Sequence, residues 1–307
     1  MKRQKQLTLG MIVIVTLLIV AISALIFRRI NKPINLGSDS PIRDTASVIK
    51  EDTIPVKDVN TIEISSGSMD FELINGGNSE IITVKHISNM DTGTYAISVA
   101  NGKLDLKGPS EDFNFNFNFM SHQINHIEVT IPDSKFATIQ ARLTSGQLKF
   151  DRLNAEKILL DVTSGDIEGK VLEGDSIAAS STSGSIEIDS IIGVYNVSTS
   201  SGDIEIESLL GSGSTSTTSG STKIKSLDGV IKAQASSGDI EVDVLNFSDS
   251  SSFNTTSGSI ELEIKSATVY CFETKTNSGS IELKNNNCVS NPNIISLETS
   301  SGDIRIK

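Results

Sequence analysis

A Ser-Gly dipeptide recurs through the second half of the chain at a spacing that an ordinary globular domain does not show. Its glycines are Gly146, Gly165, Gly184, Gly202, Gly220, Gly238, Gly258, Gly279 and Gly302, separated by 19, 19, 18, 18, 18, 20, 21 and 23 residues. An earlier copy stands at Gly67, and Asn101-Gly102-Lys103-Leu104-Asp105-Leu106 reads as a degraded one. A repeat of this length forms a solenoid: one unit cannot bury its apolar face alone, and stacking joins the faces into a continuous core.

Each glycine is followed by strict alternation, as in Gly202-Asp203-Ile204-Glu205-Ile206-Glu207 and Gly258-Ser259-Ile260-Glu261-Leu262-Glu263. Period two marks a half-buried strand. Its inward columns are Leu148, Ile167, Ile186, Ile204, Thr222, Ile240, Ile260, Ile281 and Ile304, then Phe150, Gly169, Ile188, Ile206, Ile224, Val242, Leu262, Leu283 and Ile306. A third apolar column follows at Leu153, Leu172, Ile191, Leu209, Leu227 and Leu245. The glycine supplies a tight corner, and the small hydroxyl residues before it suit a turn. With no Trp and only three Tyr, the chain lacks the volume for a two-layer sandwich, but a narrow solenoid needs just a few Ile, Leu or Val per coil. Identical corners argue for parallel stacking rather than hairpins. The expected fold is therefore a right-handed parallel β-helix of roughly 18-residue coils, since the hexapeptide sub-period of the left-handed form is missing.

Ahead of the repeats, Leu7–Phe27 carries no charge and its polar side chains are Thr8, Thr16 and Ser23. At about 1.5 Å per residue such a helix spans roughly the 30 Å of a bilayer core. The segment runs into Arg28 without a small-x-small cleavage site, so it reads as an uncleaved single-pass anchor, with residues 1–6 cytoplasmic and the remainder outside. Residues 28–55, with Pro33, Pro41 and Pro55, read as a stalk; residues 56–142 as atypical coils and a cap; residues 143–307 as the regular repeats. The expected location is the cell membrane, with lipid a partner through the helix.

Six of the 26 basic residues precede Asp39, the first acidic one, so the rest of the chain carries 20 minus 38, a charge of −18. That field disfavours nucleic acid and favours cations or basic partners. The outward residues of the coils concentrate it. Glu168, Glu187, Glu205, Glu207, Glu241, Asp243, Glu261 and Glu263 form a possible interaction face for envelope proteins, a cell-wall polymer or cationic peptides. The competing reading is a solvated exterior that resists aggregation.

His86, His122 and His126 are the histidines, and all read as incidental surface residues. A strand sets residues 122 and 126 some 13 Å apart, so no metal or cofactor site is expected. No Gly-x-Ser-x-Gly elbow occurs and no histidine lies beyond 126, which leaves the repeat serines without a general base and speaks against an enzyme. A carbohydrate-active enzyme on the same scaffold, or a structural spacer, remains the alternative. Phe113-Asn-Phe-Asn-Phe-Asn-Phe119 is either a capping hairpin or an exposed adhesive patch. Cys271 and Cys288 lie about one coil apart but in different registers relative to the next glycine, so a bridge and two free thiols both stay open. Lys307 ends the chain on a strand, which leaves the last coil without an obvious cap.

Ile62-Glu-Ile-Ser-Ser-Gly67, Ile127-Glu-Val-Thr-Ile-Pro132 and the serial Thr-Ser-Gly-Asp-Ile-Glu copies resemble the putative adhesin β-strand-repeat family, a domain of unknown function, over about residues 48–307. The chain is similar in layout to its membrane-anchored LiaG-like members. The resemblance implies a non-enzymatic role in interaction or sensing at the bacterial cell envelope, associated with envelope stress.

Overall fold

The computed structural model describes residues 46–90, 93–109, 124–266, 268, 270–284, 288 and 293–307. The expected cytoplasmic segment, the membrane helix 7–27, most of the stalk, the Phe113–Phe119 alternation and His122 lie outside these residues. What is described belongs to one compact unit, Ile42–Lys307.

That unit is an all-β, right-handed solenoid of about 9 turns with about 19 residues per coil. Its strands are β1 (Ser47–Pro55), β2 (Thr61–Ser66), β3 (Asp70–Asn75), β4 (Ile81–Ser88), β5 (Ala96–Ala100), β6 (Lys103–Lys107), β7 (Asn125–Ile131) and β8 (Phe136–Ser145). Five long, bent strands follow: β9 (Leu148–Ser164), β10 (Ile167–Ser183), β11 (Ile186–Ser201), β12 (Ile204–Ser219) and β13 (Thr222–Ser237). The last coils are β14 (Ile240–Phe247), β15 (Ser251–Ser257), β16 (Ile260–Ile264), β17 (Cys271–Ser278), β18 (Ile281–Leu283), β19 (Ile294–Ser301) and β20 (Ile304–Ile306). Ser47–Pro55, placed by sequence at the end of the stalk, is thus strand.

Stacking is parallel and in register, Ile167 against Leu148 and Ile186, Ile204 against Ile186 and Thr222. The inward columns are buried as the alternation requires, with four exceptions. Gly169 lacks a side chain because the Phe150 ring fills its space; a Cβ there would lie 1.9 Å from Phe150 Cζ. Leu245 is exposed, since a shift in register seats Val244 against Leu227. Ile281, which is exposed, and half-buried Leu283 belong to β18, which pairs with a neighbour on one side.

Two rows of glycine run up the stack, one along all the regular coils and one through β10–β13 alone. In the Ser-Gly row, each glycine from Gly165 to Gly258 packs on the carbonyl of its counterpart in the preceding coil, while Gly146 packs on that of Met69. A second row, Gly174, Gly193, Gly211 and Gly229, stacks in the same way along the opposite corner. The hydroxyls that bond at the Ser-Gly corner are three residues before the glycine, not immediately before it. Ser181 Oγ donates to the Gly165 carbonyl at 3.1 Å, Thr199 Oγ1 to Gly184 at 3.0 Å and Thr255 Oγ1 to Gly238 at 3.0 Å. This satisfies an otherwise buried hydroxyl.

Chain order and spatial order part company at both ends. At the N-terminal end β2 lies between β6 and β8, and β3 between β7 and β9, so the first coil of the chain is the second in space. At the other end β19 lies between β15 and β17, and β20 between β16 and β18. The chain terminus is therefore interior, with β17 and β18 outermost, which corrects the expectation that Lys307 leaves its own strand as an uncapped edge. Cys271 and Cys288 are bridged, with Cα atoms 4.6 Å apart. The bond ties β17 to the connection leaving β18 and so closes that outermost turn. The N-terminal end is covered differently: β4 pairs antiparallel with β7 and β1, and β5 with β6.

Candidate interaction face

The third residue after each corner glycine points outward, and the ladders set these residues side by side in space. Their order is Lys149, Glu168, Glu187, Glu205, Lys223, Glu241, Glu261, Arg305 and Glu282, and Glu72, the fifth residue after Gly67, stands beside Lys149. The inserted terminal strand places Arg305 between two glutamates that would otherwise be neighbours about 4.8 Å apart.

Most of the expected face is neutralised locally. Lys149 Nζ lies 3.0 Å from Glu168, Lys223 Nζ 3.0 Å from Glu241, and Lys225 Nζ 2.8 Å from Glu205 while also bonding Glu207. Lys265 reaches Asp243 at 2.8 Å and Glu263 at 3.8 Å, and Lys307 bonds Glu261. These carboxylates push their lysines' pKa above the ordinary range: Glu241 acts chiefly on Lys223, Glu205 and then Glu207 on Lys225, Asp243 on Lys265, and Glu261 on Lys307. Lys265, which follows β16 and stands where the earlier repeats carry leucine or isoleucine, is a member of this charge network that the repeat pattern did not announce.

Glu187 differs from its neighbours. Among the described residues no cation lies within 4.0 Å of it or of Asp189, two positions further along the same strand. Both line a shallow depression of about 300 Å³ whose floor is Leu73, Phe150 and Gly169 and whose rim includes Lys149 and Lys170. Lys170 bonds Asp151 at 2.6 Å, and this contact, with the Asn75 N–H, holds the Asp151 carboxyl below the usual carboxylate range.

A second ladder runs along the corner itself. Asp166 Oδ1 accepts the Ser185 N–H at 2.8 Å, Ser185 Oγ accepts the Asp203 N–H at 3.3 Å, and Asp203 Oδ1 accepts the Ser221 N–H at 2.7 Å. The series continues through Asp239 and Ser259 to Asp303, whose carboxylate accepts the Ser280 N–H at 2.9 Å. Asp and Ser alternate in space even where the chain reads Ser259, Ser280, Asp303. Each carboxylate thus meets a hydroxyl residue rather than another carboxylate.

The histidines correct the sequence reading. His86 is fully buried, because it continues the inward alternation of Ile82 and Val84, and its ring bonds Thr94 Oγ1 at 3.1 Å and Asn125 Oδ1 at 2.8 Å. His126 is half-buried on β7 with Nε2 3.7 Å from Glu128.

Residues 59–307 match the Toastrack DUF4097 family. The chain belongs to that family. No protein of curated function matches it in sequence. Among solved structures it is similar to a putative adhesin from Bacteroides fragilis, at 13% identity over 87% of this chain and 100% of that one, with a TM-score of 0.41. It is also similar to a putative lipid binding protein from Parabacteroides distasonis, at 17% identity over 86% and 97% with a TM-score of 0.44. A further putative adhesin from Parabacteroides distasonis matches at 17% identity over 83% and 96%, with a TM-score of 0.33.

Proposed function

We propose that this Toastrack protein is a membrane-anchored, extracytoplasmic and non-catalytic binding module of the bacterial cell envelope, whose acidic face takes a cationic partner. The observation that carries the reading is the pair Glu187 and Asp189, neither with a cation within 4.0 Å among the described residues, on a face where Glu168, Glu205, Glu207, Glu241, Asp243, Glu261 and Glu263 hold lysines. A basic side chain arriving there gains two carboxylates without breaking an existing ion pair. The Cys271–Cys288 bridge supports an oxidising compartment, and the apolar run 7–27 supplies an anchor. From Glu168 to Glu263 the charged side chains of this face point outward along strands and mostly pair with one another, which suits recognition better than chemistry. The envelope-stress setting follows from the LiaG-like layout.

The test has two arms. External protease on intact cells should digest the repeats, and protection would overturn the extracytoplasmic reading. A lysine-rich decapeptide should bind the purified chain, weaken as salt rises, and lose about fivefold in affinity in the double variant Glu187→Gln, Asp189→Asn. Equal affinity of wild type and variant would remove the face from the proposal.

A further inference from the structure

On the outward side of the N-terminal coils, three ligand-bearing side chains are brought together by strand register. Glu72 on β3 stands directly against Glu128 on β7, and His126 precedes Glu128 by two residues, on the same face. One donor atom from each of the three lies within 4.8 Å of the others, and all three residues are half-buried. Adjacent hydrogen-bonded strands hold the three Cα positions, so convergence costs only side-chain freedom.

The neighbours on every packed strand are defined. On β4, Lys85 faces Glu128 and Ile87 faces His126. On β9, Lys149 faces Glu72, but its ammonium is drawn to Glu168 at 3.0 Å, toward the next coil. Asp70, opposite His126, has its carboxylate committed to the Gln147 N–H at 2.7 Å.

We propose that Glu72, His126 and Glu128 form a site for a divalent transition-metal ion, with zinc the natural occupant. One imidazole nitrogen with two carboxylates suits a borderline ion better than calcium, which prefers an all-oxygen shell. Three protein ligands leave a coordination position open to water or to a partner's side chain. Donors within 4.8 Å of one another surround a point from which each can approach a zinc ion to the required distance of roughly 2.0–2.2 Å. A cation also removes the repulsion of two glutamates in direct register. The site does not depend on the cationic-partner reading, since it uses neither Glu187 nor Asp189.

The test uses the full chain, without an affinity tag, in mild detergent and stripped with a chelator. Titration with Zn²⁺ should give one saturable site, and His126→Ala and Glu128→Gln should each weaken it by about 100-fold, while Glu187→Gln leaves it unchanged. X-ray absorption at the zinc edge of the unmodified chain should show a single imidazole among oxygen ligands. No saturable binding up to about 1 mM Zn²⁺, affinity unchanged in His126→Ala, or a shell without imidazole would each overturn the proposal.

Discussion

At the scale of single residues, the corners are governed by the space between stacked backbones. A Cβ on Gly202 would sit 2.2 Å from the Gly184 carbonyl oxygen, and the residue holds φ +155°, where an L side chain is strained. Gly67 belongs to the same motif, yet a Cβ there meets nothing within 4 Å. Gly202→Ala should therefore cost at least about 2 kcal/mol, and Gly67→Ala stay within about 0.5 kcal/mol, in denaturant unfolding. Equal losses would mean that the motif, not the stacking, demands glycine. Corner carboxylates obey a related constraint. The Ser280 N–H and hydroxyl hold the Asp303 carboxyl below the usual range, and that hydrogen bonding spans two coils.

Among the elements, the terminal strands have the most consequence. β19 and β20 each pair on both sides, so the end of the chain is stitched into the stack one coil from its end. Removing residues 294–307 would deprive β17 and β18 of their partners and expose the far side of β15 and β16. Hydrogen exchange should then lose protection across β15–β18 while β9–β12 keep theirs, as expected where each coil contacts only its neighbours. Unchanged protection in β17 would refute the interleaved order. The disulfide closes a loop with a sequence separation of 17 in that same outermost turn, where a cross-link contributes roughly 3 kcal/mol by limiting the unfolded chain.

For the whole molecule, the paired charges define a pH window. Asp151 and Asp303 have folded-state pKa values below those of the unfolded chain. Their stabilisation is present above the ordinary aspartate value near 3.9 and is lost as pH falls through the lowered values. Lys223, Lys225, Lys265 and Lys307 are raised, so their contribution is present below about 10.4 and fades as pH rises through the raised values. These side chains are exposed, so each effect is screened. Thermal melting should be nearly flat between about pH 5 and pH 9 and decline on both sides; a maximum at the acidic isoelectric point would contradict the assignment.

Much of this architecture was legible in the chain. Period-two alternation after Gly202 or Gly258 is decided by local sterics and by which side chains avoid water, so strands, inward columns and corners could be read directly. His86 was legible in the same way, as the continuation of Ile82 and Val84. The second glycine row was available too, at the 18- or 19-residue spacing of Gly174, Gly193, Gly211 and Gly229, but no serine marks it. What tertiary structure alone decided is which coil lies beside which. Near-identical repeats offer many equivalent pairings, and the choice depends on long-range partners. Asp303 is seated between Ser259 and Ser280, and Arg305 between Glu261 and Glu282. The same holds for Glu72, which precedes His126 and Glu128 by more than fifty residues and is joined to them by the register of β3 on β7. Local sequence sets how a coil is built; the complementarity of whole coils sets their order.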